Sequence, residues 1–161
     1  MIKKIVYFVT TVILMFSVSG AAGADCDFEC GHEVKNYDNL KLAYINATFN
    51  TEWYELKSYS ERIGEITAKK VNFIFWNKKY MGRVIPLFGS DQINYALRHF
   101  KKIYGDSHKN IQEKYYLWMT ADEIINVRRF SLQLGQIEIY CRQYFEEWKA
   151  SREPKTELKE Q

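Results

Sequence analysis

The sequence predicts an α+β domain in which a curved, mixed or antiparallel sheet wraps around helices, and three observations carry that expectation. The stretch "GSDQINYALRHFKKIYGD" has every local mark of a helix, and "VNFIFW" before it is dense in β-branched and aromatic residues. The stretch "RRFSLQLGQIEIYCR" after it separates polar from apolar residues best as a hairpin.

Ahead of the domain lies an export leader. Lys3 and Lys4 open the chain, and Ile5 to Val18 is a 14-residue run without charge. That run is too short to cross a bilayer and suits the apolar part of a signal peptide. Ala22-Gly23-Ala24 then supplies a small-x-small cleavage pattern. Residues 1–24 are therefore read as a signal peptide, and the product as residues 25–161, periplasmic or secreted, with no stable membrane span after cleavage. An uncleaved anchor is the alternative, and the shortness of the run argues against it. Without Lys3 and Lys4 the formal charge falls from +3 to +1, which gives no global signal for nucleic acid. The basic and aromatic cluster "RHFKK", residues 98–102, reads as a solvated helix face.

Exported cysteines are read first for disulfides. Cys26, Cys30 and Cys141 are odd in number, so one thiol stays unpaired within a monomer. In "CDFECGH" a local Cys26–Cys30 disulfide is preferred to a metal site, because the second half of a four-ligand set is missing. Cys141 is then a buried free thiol; a bridge from Cys141 to the N-terminal segment is the other pairing left open. No metal and no cofactor are expected.

After the cysteine-containing segment 25–35, one domain is expected over 36–149, followed by a charged, disordered tail over 150–161. "NYDNLKLAYINATFN" places Leu40, Ala43, Tyr44 and Ala47 at helical spacing with Asp38 as a cap, which predicts a first helix. Thr51 caps a short second one, "EWYELKSY", on the recurrence of Trp53, Leu56 and Tyr59. "VNFIFW" and "YMGRVIPLF" are two strands around a turn, with Pro86 held to an edge or to the last residues of the second. In the third helix Ile93, Ala96, Leu97, Phe100 and Ile103 form one stripe, with Ser90 as cap and Gly105 as stop. "NIQEKYYLWM" is a strand with Ile111, Tyr115, Leu117 and Met119 on one face, and "TADE" is the turn that follows it.

Residues 124–148 admit two readings. As a helix, Phe130, Leu134, Ile137, Cys141, Tyr144 and Trp148 make a stripe, and Thr120 and Glu123 have capping-box spacing. As a hairpin turning at Gly135-Gln136, Leu134 faces Ile137, Leu132 faces Ile139 and Phe130 faces Cys141, leaving one face wholly apolar. The hairpin is the sharper match, since a glycine inside a helix costs about 1 kcal/mol.

The resulting order, α-α-β-β-α-β-β-β, resembles the nuclear-transport-factor-2-like superfamily, in particular its SnoaL-like and ketosteroid-isomerase-like branches. "FNTEWYELKSY", "PLFGSDQINYALRHFKKIYGD" and "TADEIINVRRFSL" are similar in texture to the second helix, the entry to the third helix and a strand-turn-strand passage of such domains. The resemblance implies a cone with an apolar cavity and, in many members, pairing of two copies through their sheets. Tyr44, Trp53, Phe73, Phe75, Phe100, Trp118, Phe130 and Ile139 are the ligand-binding candidates around its centre. Catalytic members of that superfamily hold a carboxylate, or an Asp and His pair, in the cavity, and no catalytic residue carries over to this chain. The expectation is therefore a non-catalytic exported protein that binds an apolar small ligand or a protein partner. An isomerase- or hydrolase-type enzyme is the alternative, and a mainly helical interaction protein is the second alternative. An inward-facing carboxylate favours the enzyme.

Overall fold

A computed structural model describes residues 28–111 and 114–153, without the side chains of 109–111. The predicted signal peptide, Cys26 and the end of the tail from residue 154 lie outside the described residues. The fold is α+β. Its strands are β1 Leu40–Asn46, β2 Thr51–Leu56, β3 Glu61–Ile63, β4 Ile66–Ala68, β5 Asn72–Trp76 and β6 Lys79–Phe88, then β7 Lys109–Ile111, β8 Tyr115–Met119, β9 Glu123–Arg129 and β10 Leu134–Cys141. Helix α1 spans Ser90–Tyr104 and α2 spans Arg142–Ala150. Eight strands form one antiparallel sheet in the order β1-β2-β5-β6-β10-β9-β8-β7, and β3 and β4 make a separate hairpin. Helix α1 carries the chain from β6 at the centre to β7 at the far edge, so two meanders meet along the β6–β10 ladder.

Several elements follow from local chemistry. Asn77 and Lys78, at φ 50° and 64°, make the two-residue turn between β5 and β6, since such turns need two left-handed residues and Asn tolerates that region. Helix α1 begins at Ser90 after Gly89 and stops at Gly105, whose φ of 80° suits glycine. Of its predicted stripe, Ile93, Ala96 and Phe100 are buried and Ile103 is exposed. Pro86 sits near the end of β6, past the last β5 partner at Asn72–Val84, where its missing N–H costs no ladder bond to that strand. "TADE" does turn the chain between β8 and β9, with Thr120 Oγ1 accepting from the Glu123 amide at 2.9 Å.

The core lies between the sheet, α1, the β3–β4 hairpin and the segment from Phe28. Phe73, Phe75, Tyr80, Ile85, Leu87, Ile93, Trp118, Val127 and Ile137 are its most buried members. Phe28 stacks on Phe73 at 3.9 Å and on Tyr37 at 4.4 Å, so the N-terminal segment is part of this core. A smaller cluster on the other face gathers Ile74, Met81 and Val84 under Trp53, Trp76, Tyr140, Tyr144 and Trp148. In β6 the register shifts between Ile74↔Gly82 and Phe75↔Tyr80, leaving Met81 as an extra residue. That bulge brings Tyr80 and Arg83 to one face. Gly82 is required there, because a Cβ would lie 2.4 Å from the Ile139 carbonyl.

Four expectations are corrected. The first two helices are the hairpin β1–β2, so the order that suggested the family resemblance is not the order of the structure. Trp53 and Tyr54 pack on opposite sheet faces, and with both faces covered the period of two is masked by chance spacings of three. The hairpin at 124–141 exists, but it turns at residues 130–133, where the Ser131 hydroxyl accepts from the Gln133 and Leu134 amides. Ile137 therefore faces Val127 and Ile139 faces Ile125. Gly135 lies inside β10, where a Cβ would sit 2.7 Å from the Arg128 carbonyl and 3.1 Å from Ile93; it permits close packing and makes no turn. The helical alternative holds only at its end, where Tyr144 and Trp148 lie on α2.

Last, Cys30 is bonded to Cys141 across 111 residues, so it is not the partner of Cys26 and Cys141 is not a free thiol. The N-terminal segment lies against β6, with the Gly31 amide donating to the Tyr80 carbonyl and the Tyr80 amide to that of His32, and this brings Cys30 to the end of β10. Peptide mapping without reductant should return a Cys30–Cys141 fragment and alkylated Cys26. Cys30→Ser should lower stability by roughly 3–5 kcal/mol in urea unfolding, as a loop of this length predicts. A Cys26–Cys30 fragment would reject the arrangement.

Candidate functional site

Strand β10 offers its odd-numbered residues Ile137, Ile139 and Cys141 to the core, and its even-numbered residues to the α2 face of the sheet. On that face Gln136, Glu138 and Tyr140 form the floor of an open cleft of about 230 Å³. Trp53, Ile74, Met81, Phe49 and Trp148 supply its apolar walls, and Arg128 from β9 closes one side. The loop after β1 and helix α2 form its lip, tied together by the Trp148 indole N–H donating to the Phe49 carbonyl at 3.0 Å. Arg152 lies over both rings, 4.2 Å from the centre of Phe49 and 5.1 Å from that of Trp148.

Glu138 is 4% exposed, which is costly for a carboxylate unless donors replace its water. Here they do. Arg128 donates from Nη1 at 3.1 Å, Asn126 from Nδ2 at 3.1 Å, Gln136 from Nε2, and Tyr140 from its hydroxyl at 3.4 Å. Asn126 stands opposite Glu138 in the β9–β10 register, and Gln136 opposite Arg128, so the sheet itself sets the geometry. Burial, and after it the Glu138 carboxylate, hold the Tyr140 phenol well above its ordinary range, against a smaller pull from Arg128. The same causes, burial first, raise Tyr115, over whose ring the Arg128 guanidinium sits at 5.5 Å. Arg128 itself is half exposed.

Chemically the arrangement is a fixed polar floor under aromatic walls. A general base needs a free carboxylate lone pair at the reacting proton, and Glu138 directs both oxygens at protein donors. Among the described residues no three His, Cys, Asp or Glu side chains gather where they could hold one metal ion, and no helix is long and apolar enough to cross a membrane.

The candidates read from sequence divide among three places. Phe73, Phe75, Phe100, Trp118 and Ile139 are together in the main core. Trp53 lines the cleft, with Tyr44 stacked on it at 5.1 Å and half exposed. Phe130 is on the 130–133 turn, 58% exposed. The sequence reading missed Glu138, Arg128, Gln136 and Tyr140 as a group, because it followed only the apolar face of the hairpin.

A second, partly buried ionic cluster lies on the core face. Arg83 Nε donates to Glu61 Oε1 at 2.7 Å and Nη1 to the Tyr80 hydroxyl at 3.4 Å, which ties the β3–β4 hairpin to β6. Burial would lower the Arg83 pKa, but Tyr80 and Glu61 beside it outweigh that and raise it. Burial pushes Tyr80 up to about 12, with Arg83 opposing. Comparison with protein-family models, with curated proteins and with solved structures returned no match to this chain.

Removing the anchor of the floor strands its donors, so Glu138→Ala should lower stability by about 2–4 kcal/mol in urea unfolding. An unchanged midpoint would mean that the carboxylate is not the hub. The tyrosines give a pH dependence on the alkaline side. An unfolded tyrosine ionises near pH 10, whereas Tyr80 keeps its proton to about 12. Stability should therefore be level up to about pH 10 and fall as the pH rises toward 12, because the unfolded chain releases the proton first. Unfolding midpoints at several alkaline pH values, alongside absorbance of the phenolate, check this.

Proposed function

We propose that the protein is an exported, non-catalytic binding domain whose cleft takes a small ligand with an apolar, ring-like body and a polar head. The carrying observation is the pairing of aromatic and aliphatic walls, Trp53, Trp148, Phe49, Ile74 and Met81, with a polar floor already fixed by the sheet. Such a pocket gains affinity from apolar burial and orientation from a few polar contacts. The head would meet Arg128 and Gln136 at the open side, and the ring would lie between the two indoles. The Cys30–Cys141 disulfide supports an oxidising compartment. The cleft lies outside the main core, so this reading rests on its geometry and not on the cone-shaped cavity that the family resemblance implied. An enzyme of the isomerase or hydrolase kind would have to use Glu138, and the four donors on that carboxylate oppose it.

The test is a nuclear magnetic resonance titration with naphthalene-2-sulfonate, a flat apolar body with an anionic head. The indole N–H signals of Trp53 and Trp148 should move together and saturate, while that of Trp118, buried in the main core, stays fixed. Arg128→Gln should weaken the titration about tenfold, the scale of one lost charge-assisted contact. Stationary Trp53 and Trp148 signals at millimolar probe would reject the cleft as a ligand site.

A further inference from the structure

The β9–β10 hairpin ends in apolar side chains that the fold does not use. Phe130 is 58% exposed, Leu132 74% and Leu134 49%, and Phe88, paired with Leu134 across the β6–β10 ladder, is 62% exposed. Four large apolar side chains at one end of a small domain form a patch that water disfavours, and such patches mark contact surfaces.

The backbone of the tip is partly closed on itself. The amides of Phe130 and Ser131 donate to the Leu134 carbonyl, and those of Gln133 and Leu134 to the Ser131 hydroxyl. The Gln133 carbonyl accepts from the Gly89 amide at 2.8 Å. A tip that satisfies these groups internally can leave water without stranding them, which is what a hydrocarbon phase demands. The Leu132 amide and the carbonyls of Phe130, Ser131 and Leu132 take no part in these bonds, so the closure is partial and the choice of partner falls to charge.

Charge points the same way. Beside Phe88 is a hollow lined by Thr67, Lys69, Lys70 and Gln92, and Lys114, whose carbonyl accepts from the Arg129 amide, is exposed at the base of the hairpin. Asp91, at the start of α1, and Glu55, paired with Lys70, are opposing charges among the described residues. Exposed apolar side chains at a turn with lysines beside it match a bilayer surface, where acyl chains take the former and anionic headgroups meet the latter. We infer that the 130–133 turn, with Phe88 and Leu134, is a peripheral membrane-binding tip that prefers anionic phospholipid and carries the ligand cleft at the bilayer surface.

The test is co-sedimentation of residues 25–161, which contain every element of the fold, with vesicles of phosphatidylcholine alone and of phosphatidylcholine with a quarter phosphatidylglycerol. The protein should pellet with the anionic vesicles at least tenfold more strongly than with the neutral ones. Leu132→Asp, at a site too exposed to disturb folding, should remove most of that binding while leaving circular dichroism and melting unchanged. Lys69→Glu together with Lys114→Glu should abolish the preference for anionic lipid. Failure of the unmodified protein to pellet with either vesicle, or equal pelleting by Leu132→Asp, overturns the inference. So does dimerisation in light scattering that Leu132→Asp abolishes without any vesicle binding, since the patch would then be an interface between two copies.

Discussion

Both faces of β10 are occupied, and the rest of the molecule is arranged around that constraint. Ile137, Ile139 and Cys141 belong to the core, while Gln136, Glu138 and Tyr140 belong to the cleft. A slip of one residue would drive a carboxylate into the core and expose isoleucines, so the register is specified from two sides at once. Two glycines permit the packing. Gly82 lets β6 approach the β10 backbone, and Gly135 lets β10 pass under Ile93 of α1. The strand then leads directly into α2, with Cys141 at the junction held to Cys30.

The two ionic clusters show how the same sheet handles charge on opposite faces. Arg83 and Glu61 join a peripheral hairpin to the sheet, and Tyr80 beside them is almost wholly buried. Glu138 lies in the cleft floor, where one partner, Arg128, is half in water. The first cluster is the more covered of the two and serves position; the second leaves its cation half exposed beside the cleft. A buried pair is weak evidence for stability in itself, because desolvation offsets much of the attraction. What Glu138 contributes is order: four side chains on two strands are held in one arrangement around its carboxylate.

The cleft and the apolar tip are built on the same hairpin. Arg128 and Gln136 face each other within the ladder, and the chain turns over a few residues further on, at Phe130 to Gln133. A molecule seated at a surface through the tip would hold the cleft at a fixed height above it. The disulfide secures the end of β10 opposite the turn.

By itself the sequence determined those elements whose signals are local. Helix α1 announces itself through an apolar stripe and a terminating Gly105, the β5–β6 hairpin through Asn77 and Lys78 between two dense apolar runs, and the β8–β9 turn through Thr120. Each depends on a few neighbouring residues, so its physics is complete within the stretch that encodes it. Tertiary structure decided the rest. "TEWYEL" is a strand because β5 offers it a partner and both its faces find cover, which hides the alternation that would have betrayed it, and "LKLAYIN" is one because β2 in turn offers it an edge. Gly135 was legible as a special position, but only the approach of Ile93 and the Arg128 carbonyl shows that the missing side chain serves packing and not a turn. Glu138 was legible as polar, yet its role depends on Asn126 and Arg128 across the ladder. The pairing of Cys30 with Cys141 spans 111 residues, and no spacing rule reaches that far. Two sulfurs meet there because the folded segment after Phe28 runs along β6 to the end of β10.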